Sequence, residues 1–444
     1  MLLLSLGFIK DAARAVKRIC KEEFVKVKDS VLTELLGISC LIVTMYALRR
    51  EGDHDVLHLW CVHRNEFAIC PKCGCVSHDI HEEKQRCIRH LDIWKKRTFL
   101  HFLARRFKCN QCGKTFTEEL AFVESQRRQS IDFELHIYED CLSGNRKKIA
   151  QKEGLSQSTV KDIFNRWARS RVNKSSHNLT RVLGIDEISL KKRHKQFALI
   201  ISDIERRCIL DVLPIRDKEA LEKWIDNLSE QQRQVIRFAS IDMWSPYYYA
   251  VRNRLPHVQI VVDRFHVMKH LNERITQLRR NIQNNACDDI KQILKGSRWI
   301  LVKNRSGLWA KEEEILQKIL QSCPELRVLY LLKEEFRQIF ERVDSREKAE
   351  RFLKAWVVKA EYTGNKFLKK FVKTLKNWWG QILNYFYERI TNGFVEGLNG
   401  AIRNIIRRAF GYRNFQNFKL QVFAEQGFFR STIRPYAFGI LKKS

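Results

Sequence analysis

The chain has 444 residues, 44% of them hydrophobic and 11% aromatic; that is too long for one ordinary domain and apolar enough for real cores, which excludes wholesale disorder. Lys plus Arg number 82 against 51 for Asp plus Glu, a formal +31 that concentrates the molecule on polyanions: nucleic acid, anionic membrane or acidic proteins. Membrane is the weakest of these, because no apolar run approaches the roughly 20 residues of a spanning helix.

Residues 1–37 alternate basic and apolar positions at helical spacing and read as a basic helical extension. Its opening MLLLSLGFI is short, lacks a basic start and runs into Lys10 and Asp11, which argues against a signal peptide. The 13 cysteines, odd in number and scattered, do not resemble a secreted disulfide scaffold, so a reducing cytoplasmic setting is expected.

Strand-like text (CLIVTMYALRR, VLHLWCVHR) opens a zinc-binding domain expected over 38–122. Cys70-x-x-Cys73-Gly74 and Cys109-x-x-Cys112-Gly113 form two knuckles, each able to bring two thiolates to one metal. Four thiolates make a closed tetrahedral Zn²⁺ site, structural rather than catalytic. Cys75 and Cys87 read as free thiols. The joining segment carries Arg86, Arg89, Lys95, Lys96, Arg97, Arg105 and Arg106, and beside a zinc knuckle such a run is expected to touch phosphates.

A helix-turn-helix is expected within 130–172, in IAQKEGLSQSTVKDIFNRW. Ala150 lets the helices approach, Gly154 supplies the turn, and Ser156 caps a second helix with Val160, Ile163, Phe164 and Trp167 inward. Gln157, Ser158 and Lys161 then face out where a recognition helix meets base edges. A polar linker, RVNKSSHNLTR, follows.

Over 181–264 the text is strand-rich, with acids at strand ends: Asp186 after RVLGI, Asp242 after VIRFASI and Asp263 after VQIVV. Carboxylates converging at a sheet edge repel unless a cation lies between them. Two Mg²⁺ or Mn²⁺, about 3.5–4 Å apart, suit hard oxygen ligands and phosphodiester displacement. Three strands, a helix, a strand, a helix and a strand is the order of an RNase H-like sheet, in which the first and fourth strands are neighbours. Asp186 and Asp242 would be the close pair, with Asp263 and His266 as support or alternative. Glu187 should point to the opposite face. The run Tyr247, Tyr248, Tyr249 offers a covalent tyrosine nucleophile as a rival, but packing is the expected role.

Residues 265–388 read as amphipathic helices, and 389–435 as a helical end. In TNGFVEGLNGAIRNIIRRAFGYRNF, Arg403, Arg407 and Arg408 suit a polyanion, while Glu396 stands with no acidic neighbour until Glu425. A helix puts Glu396, Asn399 and Arg403 on one face.

Together CPKCG, RRFKCNQCGKTFTE, the helix-turn-helix, LGIDEISLKKRH, SIDMWSPYYYAV, IVVDRFHVMKHLN and TNGFVEGLNGAIRNIIRRAF resemble the ISL-three family of bacterial insertion-sequence transposases, over about 35–430. The resemblance implies a multidomain α/β protein: a zinc-binding domain, a helix-turn-helix, and an RNase H-like catalytic core interrupted by a large all-α insertion. It implies a DDE site on Asp186, Asp242 and Glu396, binding Mg²⁺ or Mn²⁺, with Asp263 the alternative second acid. It implies double-stranded DNA as partner, both terminal inverted repeats and target, and at least a dimer acting at the nucleoid. The rival readings are a non-catalytic DNA-binding regulator and an RNase H-like structure-specific nuclease.

Overall fold

The computed structural model describes residues 25–26, 31–171, 180–191, 196–391 and 393–427. Most of the expected helical extension, the polar linker at 172–179 and the chain beyond 427 lie outside the described residues. Two compact units make up the chain, Met1–Trp167 and Ala168–Ser444.

In the first unit, β1 (Val25–Lys26), β2 (Leu41–Glu51), β3 (His54–His63), β6 (Ile80–Ile93) and β7 (Lys96–Lys108) form a sheet in the order β1-β2-β3-β7-β6, with β8 (Thr115–Thr117) also on β7. Val25–Lys26 is therefore strand where helical spacing was expected; it pairs antiparallel with Met45 and Tyr46. β4 (Ala68–Ile69) and β5 (Val76–Ser77) pair separately around the first knuckle. Alternation along β2, β3 and β7 sends Leu41, Val43, Leu59, Leu100 and Phe102 into one core with Ile88, Phe122 and Val123. The segment joining the two cysteine pairs is the long β6–β7 hairpin, whose tip residues Trp94 and Lys95 both take positive φ (48° and 64°), as a two-residue turn between twisted strands requires.

Three helices follow, Ile131–Ser143, Arg146–Glu153 and Gln157–Arg171. Gly154 is left-handed (φ 68°) and ends the second, and the Ser156 hydroxyl accepts the Thr159 N–H at 3.0 Å to start the third. Ala150, Val160, Ile163 and Phe164 are buried as expected. The fourth inward residue is Ala168, not Trp167. The indole lies half-buried at the helix flank, where its Nε1 donates to Glu134 at 3.1 Å and has no reason to enter the core.

In the second unit, β9 (Val182–Lys191), β10 (Gln196–Asp203), β11 (Cys208–Leu213), β12 (Phe238–Ile241) and β13 (Gln259–Val262) form a five-stranded sheet in the order β11-β10-β9-β12-β13. β9 to β11 are antiparallel; β12 runs parallel to β9 and to β13. The first and fourth strands of this block are thus neighbours. Gly184 has no side chain for a physical reason: a Cβ there would meet Ser202 Oγ at 2.5 Å. One face of the sheet, with Leu183, Ile185, Leu199 and Ile201, packs on the helices Lys218–Asp226 and Ser245–Arg254. The other, with Ile188, Ala198, Ile200 and Val212, packs on Gly393–Arg408 and Phe415–Gln426 through Leu398, Ile402, Ile405, Phe418 and Val422. In sequence between these helices, 264–388 is largely helical, and its core around Trp356, Phe336, Phe340 and Phe371 is continuous with Val182, Phe238, Val261 and Val262 of the sheet.

Candidate functional site

Asp186 is not at the end of its strand, as the sequence pattern suggested, but inside β9, and only 7% exposed. β9 runs on because β10 keeps pairing with it as far as Lys191. The neighbouring β12, however, pairs with β9 only up to Ile185, so Asp186 is the first residue past the end of the parallel ladder. Asp242 directly follows β12, and Asp263 follows β13 at the start of the Arg264–Asn285 helix. Strand order therefore brings the three acids to one edge of the sheet. Glu396 reaches it in the first turn of Gly393–Arg408, the helix that covers that face.

The side-chain ligand atoms of Asp186, Asp242 and His266 lie within 4.8 Å of one another. His266 Nδ1 pairs with Asp242 Oδ1. Asp186 Oδ1 accepts the Glu187 N–H at 2.7 Å, and Oδ2 accepts Asn399 Nδ2 at 2.6 Å. Burial, then the Asp242 charge, pushes the Asp186 carboxyl up to about 6. Burial works against a charged His266, but the bond to Asp242 and the fields of Asp186 and Asp263 outweigh it and raise its pKa. The Glu396 carboxyl is raised by burial and then by Asp263. Asp263 and Glu396 stand outside the 4.8 Å group yet within each other's field.

The donor set fits a hard divalent cation. It is rich in carboxylate oxygen, and His266 Nε2, Glu396 Oε1 and Asn399 Oδ1 are buried with no hydrogen-bond partner. Asn399 and the His266–Asp242 pair were missed as parts of the site in the sequence; VDRFH placed His266 near the acids, but only packing shows which acid it meets. Glu187 does point to the opposite face, where Arg216 holds it at 2.7 Å. Tyr247 is fully buried, and burial pushes its phenol far up, so it stays protonated and cannot reach a phosphate. Tyr248 packs edge-on against Trp378.

The four thiols of Cys70, Cys73, Cys109 and Cys112 also lie within 4.8 Å of one another, with Cys70 and Cys112 sulfurs 3.7 Å apart and Cys73 and Cys109 sulfurs 3.5 Å apart. Both knuckles have the same backbone turn: the glycine after the second cysteine takes positive φ (73° and 71°) and its N–H bonds the first cysteine's carbonyl. Four converging thiols on two matched turns fit tetrahedral Zn²⁺. Cys75 and Cys87 lie outside the cluster.

Gln157, Ser158 and Lys161 are exposed, with Ser158 Oγ bonded to Ser156 Oγ at 2.7 Å. Arg403 and Arg407 are exposed on their helix. Arg408 is not open to a phosphate in the same way, because Glu425 pairs with it; this is the role of the next acid along the chain. The basic hairpin divides similarly. Lys95 and Arg106 are exposed, but Arg89 is buried against Asp92 and the carbonyls of His90 and Thr98, and Arg105 is buried in a bidentate pair with Glu118. Those two arginines hold the fold, since both are buried and already bonded within the protein.

Three family profiles match in chain order. "Zinc-finger of transposase IS204/IS1001/IS1096/IS1165" covers 66–112, "Helix-turn-helix domain of transposase family ISL3" covers 118–168, and the ISL3 DDE family described as "Transposase" covers 183–422. The chain is 29% identical over 377 residues to the "Transposase for insertion sequence element IS1001" of Bordetella parapertussis, covering 84% of this chain and 92% of that protein. It is 25% identical over 354 residues to the "Transposase for insertion sequence element IS1557" of Mycobacterium tuberculosis, covering 74% and 78%. A core profile spanning more than half the chain, preceded by the zinc-finger and helix-turn-helix profiles of the same group, makes this protein a member of the ISL3 family of DDE-type insertion-sequence transposases.

Proposed function

We propose that the protein cuts DNA at the terminal inverted repeats of its element and joins the freed 3′-hydroxyl to target DNA at one two-metal site held by Asp186, Asp242 and Glu396. The observation that carries this reading is the convergence of carboxylates from separate segments, Asp186 beside Asp242 and Glu396 in the field of Asp186 and Asp263, with orphaned polar atoms among them. Two bound Mg²⁺ or Mn²⁺ would supply the Lewis acidity for in-line displacement at phosphorus.

The chain's own residues then have separate tasks. Asp186 and Asp242 form the close pair, which favours Asp242 over Asp263 as the second acid. Glu396 closes the site from the covering helix, and Asp263 supports it by its field. His266 holds Asp242. Arg403 and Arg407, about two and three turns beyond Glu396, hold the DNA strand. Gln157, Ser158 and Lys161 read the repeat, on a zinc-stabilised frame. We read the core as RNase H-like, supported by three antiparallel strands followed by two parallel ones in the order 3-2-1-4-5. Action at the nucleoid, as at least a dimer that holds two element ends, belongs to the same reading.

The test is Mg²⁺-dependent cleavage and joining of element-end DNA. Asp186→Ala and Glu396→Ala should each lose more than the roughly 10–100-fold that removal of an outer-shell partner costs. Unchanged cleavage in both variants would overturn the assignment. DNA binding without any cleavage by the native protein would instead favour a regulator.

A further inference from the structure

Both oxygens of Asp186 are anchored. Oδ1 takes the backbone N–H of Glu187, and Oδ2 takes the amide of Asn399, 213 residues away in sequence. Asn399 is 4% exposed and sits one turn after Glu396. Its orientation follows from charge: the NH₂ must face the carboxylate, since two acceptors repel. The amide oxygen is then turned away from Asp186, and it is buried without a hydrogen-bond partner. Leaving such an oxygen unsatisfied costs about 1–3 kcal/mol, so a purely structural bond to Asp186 would be poorly served by this residue.

Glu396, one turn before Asn399, lies in the fields of Asp263, His266, Asp186 and Lys269. Another carboxylate at position 399 would add negative charge beside Asp186; a lysine would neutralise the acids and compete with a cation. Asparagine is neutral and offers both a donor and an acceptor. Mg²⁺ keeps several of its waters when bound by protein, and those waters are donors.

We propose that Asn399 is a positioning residue for the metal-holding carboxylate: Nδ2 fixes the plane of Asp186, and Oδ1 accepts a hydrogen bond from water in the cation's shell. This rests on the reading of Asp186 as a metal ligand. The test is direct Mn²⁺ binding to the full-length protein, followed by the electron paramagnetic resonance signal of free Mn²⁺. Asn399→Leu should weaken binding about 10–100-fold. Its thermal midpoint should stay near that of the native protein, and cleavage should be restored at saturating metal. Asn399→Ala removes the amide without adding bulk, and it should show the same loss if the leucine variant does not fold. Native-like Mn²⁺ affinity in a folded Asn399 variant, with binding lost in Asp186→Ala, overturns the role of Asn399 alone. Native-like affinity in Asp186→Ala overturns the reading beneath it.

Discussion

Among the described residues, two places gather a histidine and two carboxylates within 4.8 Å: His136, Asp140 and Glu153 in the first unit, and Asp186, Asp242 and His266 in the second. Their chemistry differs in what neutralises them. In the first, Lys152 Nζ lies 3.0 Å from Asp140 and 3.2 Å from Glu153, and Arg89 lies 3.7 Å from Glu153. That cluster is a closed ion-pair network tying two helices together. In the second, among the described residues, neither Asp186 nor Asp242 forms an ion pair with a lysine or arginine; their side-chain partners are His266 and the neutral Asn399. The same residue types are a brace where the charges balance and a metal-site candidate where they do not.

The two clusters should differ most in catalysis. Asp186→Ala should abolish strand cleavage at any Mg²⁺ concentration, while Asp140→Ala should leave the chemical step intact, as single-turnover cleavage on pre-bound DNA would record. Equal losses in the two variants would erase the distinction. Next is the zinc ribbon, where the ligand set is complete. Cys109→Ser should unfold the knuckles, release zinc measurable with a chromophoric chelator, and remove end-specific binding, because such sites draw folding energy from the metal.

A smaller effect separates free from committed arginines. Arg403→Ala should weaken DNA binding and lower the slope of log affinity against log salt by about 1. Arg408→Ala should leave the slope nearly unchanged, because Glu425 already holds that guanidinium, and should instead lower the unfolding temperature.

The smallest effect concerns the brace. His136 is raised above its ordinary 6.5, chiefly by its bond to Glu153 and against burial. Its stabilisation is therefore full below about 6.5 and lost as pH rises through the raised value. Glu153 is lowered from 4.5 chiefly by His136, so its share is present above 4.5 and lost as pH falls through the lowered value. His136→Gln should cost most near pH 6 and little at pH 8.5 in thermal unfolding. With the imidazole 38% exposed, the effect should stay below about 1 kcal/mol.

Much of this was legible in the chain because the signals were local. The CxxCG spacing carries its own turn, and Gly154 with Ser156 carries the helix-turn-helix. The order of strands brought Asp186 beside Asp242 without coordinates. What was not legible depends on packing over long separations. Nothing near Asn399 in sequence points to a residue 213 positions earlier. The pairing of His266 with Asp242 arises only because β12 and β13 run parallel and end at the same edge. Arg89 and Arg105 looked like surface charge because a basic run hides which members have partners; Asp92 and Glu118 became visible as those partners only in the fold. The misplaced Trp167 is a one-residue error of helix facing, decided by the buried Glu134 carboxylate beneath it.

The central claim is that one cation site is shared by Asp186, Asp242 and Glu396. Fe²⁺ substituted for Mg²⁺, with ascorbate and peroxide, cuts the polypeptide backbone close to where the metal sits. Cuts are expected beside 186, 242 and 396 together, all lost in Asp186→Ala. Cuts elsewhere, or cuts at these three segments that persist in Asp186→Ala, would contradict it.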